Sequence, residues 1–358
     1  MRRLDEVPVP DLWPTIEERA ADTYVTVHAR AVAARRGRVV VSVAALVITA
    51  LTAFAAGLLV NRVGRDTSVA GPDTAWSITD SITMPEIAPD RTTLLAVDDD
   101  VAWVGQVGGN RVERVVNEGS RARTAQSWDV GAIADLAALG PTCWALTASG
   151  DLVELTADGS TRTVTSLGNG ISSTARLAAA GTLLWVSSDD AALVGVDPEN
   201  GRTERIALDF VPSDLVGDGD TVLWAVLPDG SAVSRIDTSS GAISPPVRVG
   251  PIGSMAADRR GLWVEDESRH ELRQVTRDLS VRDVVPLPTG VDSLATTDGL
   301  VWAHDDNAVQ AFTGDGDLAA TVAGPLRSGQ LGGGDDSLWV AGGDLHSLVL
   351  VARRGSNG

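Results

Sequence analysis

A tryptophan recurs seven times along the C-terminal part of this 358-residue chain, each time inside a short apolar run. The intervals between successive copies are 41, 41, 39, 39, 39 and 37 residues. A period near 40 in a β-rich context is typical of propeller blades, each of which is a four-stranded antiparallel sheet. The spacing therefore predicts an all-β, seven-bladed β-propeller. The repeated residues are Trp103, Trp144, Trp185, Trp224, Trp263, Trp302 and Trp339.

Other residues follow the same period. An apolar residue precedes each tryptophan by eight positions, or by nine at Leu215, and a turn dipeptide such as Asp158-Gly159 follows in most repeats. Glycine there supplies the positive φ of tight hairpins. In the sixth repeat the predicted strands cover 292–297, 299–304, 308–313 and 317–323. We expect the tryptophan rings to be structural, filling the wedges between neighbouring blades.

The two ends of the repeat region predict how the ring closes. The seventh repeat ends near Leu348–Val351 and lacks a fourth strand, whereas a strand-like stretch at 76–84 precedes the first repeat. An open sheet edge would leave N–H and C=O groups unpaired. We therefore expect residues 76–84 to pair into the last blade, so that the propeller occupies residues 75–353 and a tail follows at 354–358.

An uncharged, mostly apolar run of 22 residues, 39–60, predicts a transmembrane α-helix. Arg35, Arg36 and Arg38 adjoin its N-terminal end. The positive-inside rule then places residues 1–38 in the cytoplasm and the propeller outside, after a linker at 61–74. A cleaved signal peptide is the alternative, with Ala53-Phe54-Ala55 as the cleavage site, but its apolar core would be shorter and begin earlier. The sequence thus predicts a single-pass protein of the cell membrane.

The cytoplasmic segment contains a predicted short helix at 10–20. Trp13, Ile16 and Ala20 share one of its faces. The string resembles the pre-membrane helix of actinobacterial membrane proteins, some of which are anti-sigma-like regulators. Two interpretations remain open: an amphipathic helix lying on the inner leaflet, or a helix that binds a cytoplasmic partner. The His-and-paired-Cys pattern of zinc-binding anti-sigma proteins is absent, since the chain's one cysteine is Cys143.

Charge is distributed unevenly and excludes one class of partner. Residues 1–65 carry a net charge of +3, whereas the rest of the chain carries −22 and the whole chain −19. Such asymmetry suggests two compartments. Nucleic-acid binding is excluded for the propeller, because phosphate contacts require clustered Arg and Lys. The single Cys143 allows no internal disulfide, and its apolar context predicts a core residue.

Two repeats carry a longer pattern. Residues 184–201 and 223–241 each begin with Leu-Trp and end in a β-branched residue followed by Asp-x-x-x-Gly. This pattern resembles the bacterial propeller superfamily that includes streptogramin lyases and YVTN/YncE-like surface propellers. The resemblance covers most of residues 75–353. It implies the seven-bladed fold but no particular activity, because these families share a scaffold and differ in their sites.

The resemblance suggests where chemistry would lie. Streptogramin lyases are similar in carrying catalytic His and Glu residues and a divalent metal on one face of the ring. Here Glu265 and His304 each lie two positions after their tryptophan in neighbouring repeats, and His270 lies in the loop after Glu265. These three residues are the candidate acid/base set. The lyase motif itself does not map onto this chain residue by residue.

No other motif points to catalysis. The chain has no G-x-S-x-G elbow, phosphate-binding loop or Cys/His metal spacing, so no metal or cofactor is expected. The sequence favours a membrane-anchored extracytoplasmic propeller that binds a ligand or a protein. A metal-assisted, lyase-like enzyme acting on a small substrate is the first alternative. A membrane regulator partnered with a sigma factor is the second.

Overall fold

The fold is that of a computed structural model, which describes residues 76–353 apart from 85–90, 120, 169–170, 173, 288–290, 298, 306–307, 324–328, 335 and 343–346. Within these residues the chain forms seven antiparallel sheets, the blades of a propeller. No helix in this range is long and apolar enough to cross a bilayer. The segments predicted at 1–38, 39–60, 61–74 and 354–358 lie outside the described residues.

The blades follow one another in chain order. Blade 1 contains β2 Thr93–Asp98, β3 Val101–Gln106, β4 Arg111–Asn117 and β5 Ala122–Asp129. Blade 2 contains β6 Ile133–Leu139, β7 Thr142–Thr147, β8 Asp151–Leu155 and β9 Thr161–Ser166. Blade 3 contains β10 Leu177–Ala180, β11 Leu183–Ser188, β12 Ala192–Val196 and β13 Thr203–Ala207.

The remaining blades repeat this order. Blade 4 contains β14 Asp214–Gly217, β15 Val222–Val226, β16 Ala232–Asp237, β17 Ala242–Ile243 and β18 Val247–Arg248. Blade 5 contains β19 Ile252–Asp258, β20 Gly261–Asp266, β21 Glu271–Thr276 and β22 Val281–Pro286. Blade 6 contains β23 Ser293–Thr297, β24 Leu300–His304, β25 Ala308–Phe312 and β26 Leu318–Ala323. Blade 7 contains β27 Gly329–Gly333, β28 Ser337–Gly342, β29 Ser347–Arg353 and β1 Trp76–Thr83.

Blade 4 departs from the predicted four strands because its outer strand is broken. The short strands β17 and β18 both pair with β16 and are separated by Ser244, Pro245 and Pro246. Proline has no N–H to donate to the ladder, so the two prolines interrupt the pairing. The predicted strands of the sixth repeat agree with β23 to β26 to within one residue at each end.

The ring is closed by the N-terminal strand. β1 pairs antiparallel with β29, from Trp76 opposite Arg353 to Thr83 opposite Ser347, with one register shift between Ile78 and Asp80. The last blade is thus assembled from both ends of the repeat region. This pairing covers the edge that β29 would otherwise expose.

Each repeated tryptophan lies in a wedge between two blades. All seven are buried, with at most 3% of the residue exposed. Trp185, for example, packs with Leu215 and Leu223 of the following blade, and Trp339 packs with Ala102 and Val104 of the first blade. Seven such clusters, one for each wedge, make up the core. The predicted structural role of the tryptophans agrees with these positions.

The inner strands of adjacent blades are joined by side chains. The first strand of each blade is the inner edge of its sheet, so half of its N–H groups have no partner within that sheet. In blade 2 the Asp135 carboxylate accepts a bond from the N–H of Leu177 in blade 3, at 2.8 Å. Ser293 accepts from the N–H of Leu331 in blade 7 in the same way, at 3.0 Å. These bonds link blades at the rim of the central channel.

Replacement of Trp76 tests the closing strand. The Trp76 ring is 8% exposed and meets the Trp302 ring edge-on, with 4.7 Å between the ring centroids. We expect Trp76→Ala to lower the free energy of unfolding by about 3 kcal/mol, as large-to-small core substitutions do. Thermal unfolding followed by circular dichroism measures this change. The control is Thr83→Ala on the exposed end of the same strand, and equal melting temperatures for the two variants would contradict the closure scheme.

Candidate functional site

The carboxylate of Glu265 is buried, and one of its two oxygens has no hydrogen-bond partner. It lies near the end of β20 with 1% of the residue exposed. Its Oε1 accepts a hydrogen bond from the N–H of Val291 at 2.8 Å, whereas its Oε2 is buried without a hydrogen-bond partner. A buried, unpaired carboxylate oxygen is costly when the group is charged. The site therefore favours either a proton or a cation at Oε2.

His304 and His270 lie close to the same connection but in different environments. His304 ends β24 and is fully buried, and its carbonyl accepts from the N–H of Asp292 at 2.8 Å. His270 is exposed in the hairpin after β20, and its carbonyl accepts from the N–H of Leu287 at 2.6 Å. The chain linking blade 5 to blade 6 thus contacts all three predicted residues. At Glu265 the contact is made by the side chain. At His270 and His304 it is made by the backbone carbonyl and not by the imidazole.

The electrostatic surroundings of Glu265 favour its neutral form. Burial raises the pKa of the Glu265 carboxyl above its usual 4.5, and the bond from Val291 opposes this shift. The negative charges of Glu267 and Asp292 raise the pKa further, whereas His270 lowers it. A carboxyl held this way can keep a proton at a higher pH than an exposed one. This is the property expected of a general acid, and equally of a buried structural carboxyl.

The hairpin between β20 and β21 is held by an ion pair that the sequence did not reveal. Asp266 is 1% exposed, and its Oδ2 lies 3.3 Å from Nη1 of Arg273, which also donates to the carbonyl of Val249 at 3.0 Å. The other carboxylate oxygen of Asp266 accepts from the hydroxyl and the N–H of Ser268. The loop that carries His270 is therefore fixed at its base.

Three charged residues at the channel rim were also missed. Asp135, Arg176 and Asp214 precede the apolar residue of the first strand in three successive blades. Burial raises the pKa of Asp135 to about 7, although two backbone N–H groups and Arg176 act against this. Burial also raises the pKa of Asp214, whose Oδ1 lies 3.2 Å from Nε of Arg176. The sequence signal that could have identified these residues is a charged side chain at the same position of three successive repeats.

A cleft opens between blades 2 and 3 at the opposite end of the strands from Glu265. Its volume is about 610 Å³, and it is lined in part by Trp144, Glu154 and Arg162. Arg162 pairs with Glu154 at 2.7 Å and donates to the carbonyl of Pro198 in blade 3 at 3.0 Å. Its size is within the range of small-molecule sites. No feature of the sequence pointed to it, because its walls come from turns of two different blades.

The described residues show no metal centre. Among them, no three His, Cys, Asp or Glu side chains come together in a way that could hold a metal ion. The predicted set of Glu265, His270 and His304 is thus brought to one connection without forming a group of ligands.

No family model matches this chain, and no curated protein matches it in sequence. Solved structures do resemble it. A catalytically inactive virginiamycin B lyase from Staphylococcus aureus with quinupristin has a TM-score of 0.59 at 15% identity, covering 78% of this chain and 99% of that one. The Pan2 WD40 domain of Neurospora crassa has a TM-score of 0.60 at 11% identity, covering 79% and 97%. BBS1N in complex with ARL6DN has a TM-score of 0.59 at 10% identity, covering 78% and 97%. At these identities the likeness shows the propeller fold alone.

Replacement of Glu265 by glutamine tests whether the carboxyl is neutral in the folded chain. Because the folded state holds this proton to a higher pH than the unfolded state, the wild type loses stability as the pH rises above the usual value of 4.5. Glutamine stays neutral and keeps the acceptor for Val291. We expect Glu265→Gln to gain about 1 kcal/mol relative to the wild type between about pH 5 and about pH 8.

Urea unfolding at the two pH values measures this difference. The matched control is Glu204→Gln, which removes the same charge at an exposed position on β13. A Glu265→Gln variant that loses stability at the higher pH would show that Glu265 is ionised and paired in the folded chain.

Proposed function

We propose that this chain is a single-pass membrane protein whose propeller lies outside the cytoplasm and binds a ligand or a partner protein without transforming it. The seven-bladed fold supports a binding role, because the ring holds many loops rigidly on two faces. The uncharged run at 39–60 and the arginines before it support the membrane placement.

The observation that carries binding over catalysis is the way the candidate acid/base residues are used. Glu265 holds the N–H of Val291, and the backbone of His304 holds the next residue, Asp292. Both side chains are shielded from solvent, with 1% of Glu265 and none of His304 exposed. A general acid or base must reach the proton that it transfers. Oε1 of Glu265 is engaged by Val291 and His304 is fully enclosed, so the two side chains are poorly placed to act together as acid and base on one substrate.

The open surfaces and the structural neighbours support the same proposal. The cleft between blades 2 and 3 is large enough for a small ligand or for a loop of a partner protein. A WD40 domain and a propeller solved in complex with another protein resemble the chain as closely as the lyase does. Fold likeness of this kind is compatible with protein binding and selects no particular partner.

A lyase-like enzyme is the second candidate, and one observation favours it. The raised pKa of Glu265, its unpartnered Oε2 and the nearby exposed His270 form a proton-holding group next to an imidazole. If the loops around them opened, this pair could act as acid and base.

Quinupristin separates the two candidates, since it was bound by the inactive lyase that shares this fold. The full-length protein in lipid nanodiscs is incubated with quinupristin, and the products are followed by liquid chromatography and mass spectrometry. We expect no conversion. Conversion that disappears in Glu265→Gln, while the melting temperature is retained, would overturn the binding proposal in favour of the lyase.

The membrane placement is tested by single added cysteines. The native Cys143 is fully buried, so it should stay silent toward a membrane-impermeant maleimide. In intact cells we expect labelling of Thr161→Cys, an exposed position of β9, and no labelling of Thr15→Cys. Both should be labelled after the membrane is permeabilised. Labelling of Thr15→Cys in intact cells would refute the proposed orientation.

A further inference from the structure

The surface beside Gly253 brings two carboxylates to one point. Gly253 is exposed near the start of β19, and Glu267 is exposed in the hairpin after β20. A Cβ atom placed on Gly253 would lie 2.5 Å from Oε2 of Glu265 and 3.0 Å from Oε1 of Glu267. These distances are shorter than a Cβ atom tolerates, so the side chains of Glu265 and Glu267 already occupy the space that a side chain at residue 253 would take. Two carboxylate oxygens therefore approach the same point beside the Gly253 backbone.

The charges around this point are mostly negative. Glu267 and Asp292 act on Glu265 with the same sign of charge, and His270 is the group that acts against them. Several other carboxylates in the described part of the ring lie beside an arginine, as in the pairs of Asp190 with Arg205, Glu154 with Arg162, and Asp218 with Arg277. The arginines of this hairpin, Arg269 and Arg273, pair with Asp266 and Glu271 rather than with Glu265 or Glu267. The cluster thus attracts a positive group from outside the chain.

The Glu265 side chain is already held in a position to accept a hydrogen bond from a ligand. The bond from the Val291 N–H fixes its carboxylate through Oε1 and leaves Oε2 directed toward the Gly253 surface. The buried Oε2 has no hydrogen-bond partner in the chain. The part that must move to expose it is the Glu267 side chain, whose Cγ would lie 2.7 Å from the same Cβ position. An exposed glutamate changes rotamer readily, so the site can open without a change in the backbone.

We propose that this surface, formed by Gly253, Glu265 and Glu267, binds the primary ammonium group of a ligand. The inference rests on the proposed function and deepens it by naming the chemical class of the bound group. An ammonium donates three hydrogen bonds in different directions, which suits single oxygens from separate carboxylates. A guanidinium prefers both oxygens of one carboxylate, and Oε1 of Glu265 is already engaged by Val291. The ammonium takes the place of the proton that Oε2 otherwise favours, and the displaced proton passes to the solvent.

Titration with n-butylammonium chloride tests the proposal on the full-length protein in nanodiscs. Binding is measured by isothermal titration calorimetry at constant ionic strength. We expect saturable binding to the wild type and an increase in the dissociation constant of at least about tenfold in Glu265→Gln. The matched control, Glu204→Gln, should bind as the wild type does. A second variant, Gly253→Ala, keeps Glu265 but fills the space beside Oε2, and should weaken binding to a similar extent.

Three further probes define the bound group. Tetramethylammonium carries the same charge without N–H donors and should not bind. The peptide acetyl-Ala-Lys-Ala-amide presents the ammonium as a lysine side chain. Binding of this peptide but not of n-butylammonium would point to a protein partner, and binding of both to a small amine; each supports the proposal. Calcium chloride should not bind at this surface.

Two results would overturn the inference. One is equal binding of n-butylammonium to the wild type and Glu265→Gln, or binding of neither n-butylammonium nor the lysine peptide to the wild type. The other is binding of calcium or tetramethylammonium that Glu265→Gln abolishes, since that would show a site for a metal or for charge alone. Neither result bears on quinupristin turnover, so failure here is distinguishable from failure of the proposed function.

Discussion

The packing of one tryptophan ring into each wedge between blades is the contact on which the rest of this molecule depends. A four-stranded blade has two apolar faces and cannot bury either by itself. The tryptophan side chain on the second strand of each blade fills the gap to the following blade. Seven buried tryptophans repeat this contact around the propeller. Every other structural feature, including the inner channel and the two loop faces, is placed by that repeated contact.

Closing the circle creates secondary demands that polar side chains meet. The inner strands are sheet edges, and side chains such as Asp135 and Ser293 satisfy the N–H groups of the next blade. The connections between blades must also be held, and between blades 5 and 6 this is done by Glu265 together with the backbones of His270 and His304. Glu265, His270 and His304, which form a candidate acid/base set in the sequence, thus hold the connection between the two blades in place. One carboxylate oxygen, Oε2 of Glu265, takes no part in this connection and has no hydrogen-bond partner.

Much of the fold could be predicted because its determinants are local and periodic. The spacing of Trp263 and Trp302 and the glycine turns between strands follow from the conformations of single strands and hairpins. The missing fourth strand of the last repeat indicated that β1 would complete the ring. The break in the outer strand of blade 4 was readable in principle from Pro245 and Pro246, since proline cannot donate to a ladder.

The sequence by itself determined the number of blades, their strand order and the uncharged run ahead of them, because each depends on residues near one another in the chain. Only the tertiary structure decided which polar groups meet. The cleft over Trp144, the rim charges Asp135 and Arg176, and the approach of Glu265 and Glu267 at Gly253 depend on the angle and spacing between elements. Packing of whole blades sets those quantities. A side chain's partner across a wedge is therefore not encoded in its own repeat.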